Sequence, residues 1–324
     1  MEKDRQKLYR WFRRHGRDLP WRRTRDPYAI LVSEFMLQQT TVTAVVPYFE
    51  RWMEAFPTLR DLANADESQV MSRWQGLGYY SRARNLHRVA REIEQSHGGR
   101  VPRTLPALRS LPGVGEYTAG AVMAFAFDFA GPVVDANIAR VLARLADWRH
   151  PIDNAKGVQF LRRAAESLLP AKGGRRHTSA LMELGARVCL PKAPHCGECP
   201  LQESCRAVVP ERLPVKRPRR VTEAVQEVRA FVWARGKIWL ERSRGPRWLG
   251  MWVMPVAKVP ERTSVHEEIY PITRFRVTMN VVPEGKMDRT LSGFSPEELP
   301  PMPSPHRRAV AALLRKRHNR VHAR

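Results

Sequence analysis

The sequence predicts a mainly α-helical chain closed by a small α+β domain. Three observations carry that reading. Apolar residues recur at helical spacing through roughly the first two hundred positions. All four cysteines are gathered between Cys189 and Cys205. Beyond a Pro- and Arg-rich stretch the pattern changes to the alternation of strands.

The elements follow in order. DPYAILVSEFMLQQTTVTAVVPYFERWMEAF has helical spacing, with a break expected near Pro47, because proline lacks the N–H that a helix interior needs. SRARNLHRVAREIEQSHGG reads as a basic amphipathic helix stopped by glycines. GAVMAFAFDFA and ANIARVLARLADW read as core helices. KGVQFLRRAAESLLP and HTSALMELGARVCL lead into the cysteine loop. Residues 1–207 therefore form a helical domain, and 208–222, with VVPERLPVKRPRR, form a basic linker. In residues 223–324, VQEVRAFVWARGKIWLERS and FRVTMNVV read as strands. HRRAVAALLRKRHNRVHAR reads as a closing basic helix that is either a solvated face or a phosphate contact. No internal repeat is visible.

Charge bounds the partners. The chain has 56 Lys and Arg against 32 Asp and Glu, a formal net charge of +24. Such a field draws polyanions, nucleic acid first, with an anionic membrane surface as the rival. No apolar run reaches the ~18 residues of a bilayer span. The N-terminal MEKDRQKLYRWFRRHGRD has no apolar signal-peptide core, so a cytoplasmic chain is expected.

Two local patterns carry chemistry. The cysteines are spaced C-x₆-C-x₂-C-x₅-C, at Cys189, Cys196, Cys199 and Cys205. In a reducing compartment, clustered thiols point to a metal site before disulfides. Four thiolates suit zinc or an iron–sulfur cluster. Zinc sites usually pair their cysteines as two short knuckles, and only one short pair is present. The bland alternative is four unconnected buried thiols. The second pattern is LPGVGEYTAG. Its glycines, Gly113 and Gly115, free backbone N–H groups to approach an anion at a helix start, though a plain helix–helix turn has the same signature.

LPWR, SEFMLQQTTV, PYFERWMEAFP, GLGYYSRARNL, LPGVGEYTAGAV, VDANIARVLAR and the cysteine spacing occur in one order over residues 8–206. In these the chain resembles the helix–hairpin–helix (HhH-GPD) DNA glycosylases of the endonuclease III superfamily and, within it, the MutY adenine glycosylases. The resemblance implies a two-lobed helical domain whose four cysteines bind a [4Fe–4S] cluster. More weakly, through RWLGMWVMP, it implies a degenerate MutT-like (Nudix-like) C-terminal domain. No G-x₅-E-x₇-R-E box is present, so no pyrophosphatase activity is expected.

The same resemblance implies the chemistry: hydrolysis of the N-glycosidic bond of adenine mispaired with 8-oxoguanine or guanine in double-stranded DNA, by a monomer held at the bacterial nucleoid. Such cleavage needs a protonated leaving base and a counter-charge for the sugar cation. Glu34, in LVSEFML, matches the acid that protonates adenine and then activates water; as a bare residue it could equally lie on a solvent face. Asp135, in PVVDANI, matches the stabilising carboxylate, and by pattern alone would be an N-cap. Asn137 would orient Asp135. Tyr117 stands where strand-cutting relatives carry the lysine of a Schiff base, so a monofunctional enzyme is implied. A core tyrosine is the alternative.

Gln39 and Tyr79 match wedge residues that fill the space of an extruded base. Arg17, Trp21 and Leu37 match the adenine pocket, and Gln38, paired with Gln39, is a further substrate- or DNA-binding residue that favours adenine. The backbone of Gly113, Val114 and Gly115 would meet phosphate, with Arg82 and Arg84 as side-chain candidates. Three departures bear on specificity. The second carboxylate motif reads Asp135-Ala136-Asn137, a form shared with thymine-mismatch relatives. Ser179 stands where a longer amide or acid is usual. Ile272-Thr273-Arg274 replaces the Phe-Ser-His element that reads 8-oxoguanine. Thymine or uracil mismatch glycosylase and non-catalytic DNA-binding relative are the alternative functions.

Overall fold

The computed structural model describes residues 2–218, 221–245, 247–257, 263–284 and 290–322. The chain divides into two compact units, Met1–Ala65 with Asn85–Pro218, and Asp66–Arg84 with Arg219–Arg324. Among the described residues no helix is long and apolar enough to cross a membrane.

The first unit is helical. α1 (Glu2–His15) places acids in its first turn and Arg13, Arg14 and His15 in its last, complementing the helix dipole. α2 (Pro27–Leu37) starts at Asp26, whose side chain accepts the N–H groups of Tyr28 and Ala29, with Pro27 in the first turn. Every residue from Tyr28 to Met36 is buried, so α2 is a core helix on all sides. The chain then breaks at residues 38–41, where Gln39 takes a φ of 57°. α3 (Val42–Ala55) continues through Pro47, contrary to the break expected there. Pro47 sits in the second turn, where its missing donor leaves only the Thr43 carbonyl without its helical bond.

α4 (Leu59–Asn64) opens with a reciprocal Thr58–Asp61 capping box. α5 (Glu67–Trp74) belongs to the second unit. α6 (Ser81–Ser96) stops before Gly98 and Gly99, both at positive φ. α7 (Leu105–Arg109) and α8 (Glu116–Phe127) flank the Gly-rich turn. Like α2, α8 is buried along its length, from Thr118 to Ala124, and the two pack together. α9 (Ala136–Leu145) is capped by Asp135 and α10 (Ala155–Leu168) by Asn154. α11 (Gly174–Arg187) packs on α1, α8 and α9. A Cβ at Gly174 would lie 1.9 Å from the Phe129 carbonyl oxygen, so only glycine fits there. Leu8, Ile138, Leu142, Leu161 and Leu184 form the core of this group.

Most of the Pro- and Arg-rich stretch belongs to the helical unit. Ile152 N–H donates to Val215 at 3.0 Å, and Arg144 Nε donates to the Leu213 carbonyl at 3.1 Å. The change of unit falls after Pro218.

The second unit is a mixed sheet with helices. β1 (Glu223–Ala234) and β2 (Lys237–Arg242) form a hairpin through Arg235 and Gly236, both at positive φ, as a two-residue turn demands. β3 (Trp252–Val253), β4 (His266–Ile272), β5 (Phe275–Glu284) and β6 (Ser292–Phe294) complete it. The order is β3-β2-β1-β5-β4, with β1 and β5 parallel and β6 on β2. Val277, Met279 and Val281 alternate toward the core. α12 (Ser304–His322) packs on β4 and buries His306, Ala309 and Val310. The expected strands and closing helix are present, and the α+β class holds.

Candidate active site

Because α2 and α8 are apolar on all sides, a polar residue on either is buried unless a cavity reaches it. One does: a cavity of about 590 Å³ in the helical unit, between α2, α8, α9 and α11. Glu34, one turn from the end of α2, lines it and is only 3% exposed. Tyr117, in the first turn of α8, sets its hydroxyl against the Glu34 carboxylate. Oε2 of Glu34 has no partner among the described residues. Burial pushes the Glu34 carboxyl up to about 7; the Tyr117 hydroxyl opposes that and the charge of Asp135 adds to it. Burial and the two carboxylates raise the Tyr117 phenol well above its ordinary value, so it stays a donor.

Asp135 is both an N-cap and a cavity residue. Oδ1 accepts the Ile138 N–H at 2.6 Å, and Oδ2 accepts from Asn137 Nδ2 at 3.1 Å. Burial raises its carboxyl, and these bonds work against the rise. Asn137 in turn accepts from Arg140 at 2.9 Å, and Arg140 binds the carbonyls of Gly185 and Cys189 at 2.6 and 2.7 Å. A Cβ at Gly185 would meet that of Asn137 at 2.6 Å, so α11 closes directly against the motif.

The opposite wall has a different chemistry. Glu183 on α11 is wholly buried and accepts from Arg17 Nε at 2.7 Å, the Arg17 N–H at 3.0 Å and Arg22 at 2.8 Å. Burial alone would raise its carboxyl, but Arg17 and Arg22 hold it below the ordinary value. Arg175, also at the cavity, donates to the carbonyls of Phe125, Arg22 and Thr24 at 2.6, 2.7 and 2.6 Å. Sequence reasoning missed Glu183, Arg22 and Arg175. The available signal was an acid inside the apolar run SALMELGA.

The cavity brings Glu34, Asp135, Tyr117 and Asn137 together with Arg17, Trp21, Leu37, Gln38 and Ser179. Gln39 lies outside it, exposed. Tyr79 belongs to the second unit, 45% exposed, its ring 5.5 Å from the Arg82 guanidinium. Arg82 itself is buried and donates to the Leu77 and Gly78 carbonyls at 3.1 and 3.2 Å. Arg84 pairs with Glu67 at 2.8 Å. Each of the two candidate phosphate contacts thus already has a partner within the second unit. In the hairpin, Gly113 has a φ of 75°, and a Cβ there would meet Asn85 Nδ2 at 2.6 Å. Val114 is buried. A Cβ at Gly115 would meet nothing, so that backbone is open to an approaching group.

The four cysteines are free thiols. Among the described residues no three His, Cys, Asp or Glu side chains converge on one metal ion. The thiols nevertheless share a neighbourhood: burial pushes Cys199 up to about 11, with Cys189, Cys205 and Cys196 adding to the rise. Arg144 donates to Cys189 Sγ at 3.3 Å, and Cys205 Sγ lies 3.5 Å from the Arg144 carbonyl. A cubane offers each thiolate its own iron, so its ligands surround a volume and do not meet at a point. Four cysteine thiolates in one loop are the donor set that such a cluster takes.

A Gly-hairpin, two carboxyls in a shared cavity and a cysteine loop on one helical unit define a class, the HhH-GPD base-excision fold. Residues 32–166 match the family described as HhH-GPD superfamily base excision DNA repair protein. The adenine DNA glycosylase of Rattus norvegicus is 46% identical over 213 residues, 63% of this chain and 41% of the relative. That of Mycolicibacterium smegmatis is 42% identical over 200 residues, 61% of this chain and 67% of the relative. Two solved structures share the fold. A thermostable thymine-DNA glycosylase has a TM-score of 0.55 at 32% identity, over 63% of this chain and 96% of that one. Endonuclease III in a non-covalent DNA complex has a TM-score of 0.54 at 25% identity, over 62% and 92%. The chain belongs to the adenine DNA glycosylase family. It spans about two fifths of the length of the mammalian relatives it matches.

Proposed function

We propose that this protein is a monofunctional adenine DNA glycosylase that removes adenine mispaired with 8-oxoguanine or guanine in double-stranded DNA. The observation that carries the proposal is Glu34: a buried carboxyl raised to about 7 beside the Tyr117 hydroxyl, whose Oε2 has no partner among the described residues. It is an acid near neutral pH with a free oxygen, facing a carboxylate across one cavity. With adenine extruded into that cavity, Glu34 gives its proton to nitrogen 7 of the base. The bond from the sugar carbon to nitrogen 9 breaks, and its electron pair leaves with the base. Asp135, fixed by Ile138 and Asn137, supplies the counter-charge to the sugar cation. Glu34, now ionised, takes a proton from the water that adds to the sugar, and the acid is restored.

Cys189, Cys196, Cys199 and Cys205 would hold a [4Fe–4S] cluster, which braces the loop after α11. Gly113 and Gly115 present hairpin backbone to phosphate, and Gln39 and Tyr79 fill the vacated stack. We read the second unit as MutT-like. Its groove of about 680 Å³ is lined by Tyr79, Trp248, Tyr270 and Phe275 under the Ile272–Thr273 turn, and is our candidate for the strand opposite adenine. We read the protein as a monomer acting on DNA at the nucleoid, in the cytoplasm.

Single-turnover cleavage of duplexes carrying A:8-oxoguanine, A:G, T:G and U:G tests the reading. Release of adenine from the first two, with T:G and U:G intact, is expected. Cleavage of T:G in their place would favour the second reading, a thymine glycosylase, which the Asp135-Ala136-Asn137 motif and the 32%-identical thymine-DNA glycosylase structure support.

A further inference from the structure

Behind α11 lies a second cavity of about 290 Å³, in the same helical unit. α11 is the wall between the two. Ser179, Met182, Glu183 and Ala186 face the catalytic side, while His177 and Leu181 face the other. Leu8, Leu142, Leu168 and Leu201 complete the apolar lining, the last from the cysteine loop. At the mouth, Asp4 is bonded to Ser204, and Arg5 to the carbonyls of Leu168 and Leu169.

Ser167 and Arg206, both exposed, share the mouth with Asp4 and Arg5, and one buried polar side chain, His177, stands among the leucines. His177 is 3% exposed; its Nδ1 lies 3.2 Å from Tyr9 Oη, and its Nε2 has no partner among the described residues. Burial, with the Arg5 charge, holds the imidazole down at about 4, so the ring is neutral at neutral pH. Burial raises the Tyr9 phenol, which keeps its proton and can donate to Nδ1. The phenol has no other hydrogen-bond partner among the described residues, so the arrangement that satisfies its proton makes Nδ1 the acceptor; the one proton of the neutral imidazole is then on Nε2, which becomes a donor. A buried donor without an acceptor destabilises the fold that holds it. An ion would lose its hydration against the leucines, whereas an uncharged acceptor would not.

Size adds a bound. An apolar cavity of about 150 Å³ holds a benzene ring. This one has room for a fused bicyclic ring.

We propose that the cavity behind α11 binds a compact, uncharged aromatic molecule with a single hydrogen-bond acceptor, which bonds to His177 Nε2. Such a ligand would press on α11 and on Leu201 of the cysteine loop, and would do so outside the catalytic cavity.

Quinoline and indole test this on the full chain. The two are alike in size, but the quinoline nitrogen accepts and the indole nitrogen donates. Saturable quinoline binding is expected, with a Tm raised by roughly 2–4 °C at ten times Kd. The ¹⁵N resonance of His177 Nε2 should shift, and indole should bind at least tenfold more weakly. His177→Leu should bring the two ligands within twofold of each other. Ala164→Trp, which fills the cavity, should abolish quinoline binding in a protein that still unfolds cooperatively. Absence of saturable quinoline binding in the unmodified protein, equal affinity for indole, or an ordered water alone on Nε2 in quinoline-soaked crystals would overturn the proposal. Because every readout is binding or stability, its failure leaves the glycosylase reading untouched.

Discussion

The two walls of the cavity between α2 and α11 each bury a glutamate, and the two glutamates are treated in opposite ways. On the α2 wall, Glu34 has one tyrosine hydroxyl, no cation and a carboxyl raised to about 7. On the α11 wall, Glu183 has two arginines and a carboxyl held below its ordinary value. Burial pushes both upward; partners decide the outcome. Glu183 is a brace, charged at neutral pH, that ties α11 to the segment carrying Arg17, Trp21 and Arg22. Glu34 is kept able to hold or lose a proton near neutral pH, and that readiness is a liability for the fold.

Removing the acid should give the largest effect. Glu34→Gln should bind lesion DNA with base release reduced about 10²–10⁴-fold, the contribution of a general acid; single-turnover adenine release measures it. The same variant should be more stable than the parent at mildly alkaline pH. The folded carboxyl titrates at about 7 against an ordinary 4.5, so between those values the native state holds a proton that the unfolded chain has lost. Stability therefore falls as pH rises through that window, by roughly 3 kcal/mol at most. Urea unfolding near pH 8 should show the variant ahead, with the gain gone near pH 4.

The Glu183 wall should respond in the opposite sense. Glu183→Gln should lose about 2 kcal/mol near pH 7, less than the ~3–5 kcal/mol of a fully buried pair because water reaches Arg17 and Arg22. In the parent this contribution is present above the ordinary glutamate value and lost as acid protonates the folded carboxyl, so parent and variant should converge at low pH. The smallest effect is a displacement. The Tyr117 bond lowers the Glu34 pKa. Tyr117→Phe should therefore move the descending limb of the pH–rate profile to higher pH. A limb that moves down, or stays, would break the contrast between the walls.

Local pattern carries much of this site. Glu34 lies in an apolar helix, Asp135 at a helix start, and Tyr117 two residues past a Gly-hairpin; motif and period reach all three, and the cavity joins them. The α11 wall is illegible because its partners are far apart in sequence. Arg17 and Glu183 are separated by 166 positions, and nothing near either announces the pair. The same cause hides Arg175, whose three acceptors come from other segments. Arg82 misleads in the other direction: a basic helix start looks like a phosphate site, but this guanidinium caps its own neighbouring carbonyls. Pro47 draws too much weight against Gln39, whose left-handed backbone makes the actual break. Residues 66–84 lie far from the sheet in sequence yet group with it, and no periodicity could have placed them there.

Under the proposed function, the double duty of Asp135 constrains how the activity could decay. Its carboxylate starts α9 through the Ile138 N–H while facing the cavity. Alanine there would remove the cap as well as the charge and so lower the amount of folded protein. Asparagine caps a helix about as well as aspartate, and a single base change separates their codons. A lineage drifting away from catalysis but keeping a DNA-binding fold would have a narrow exit at this position. A descendant carrying Asp135→Asn would still fold, and only its chemistry would be silent.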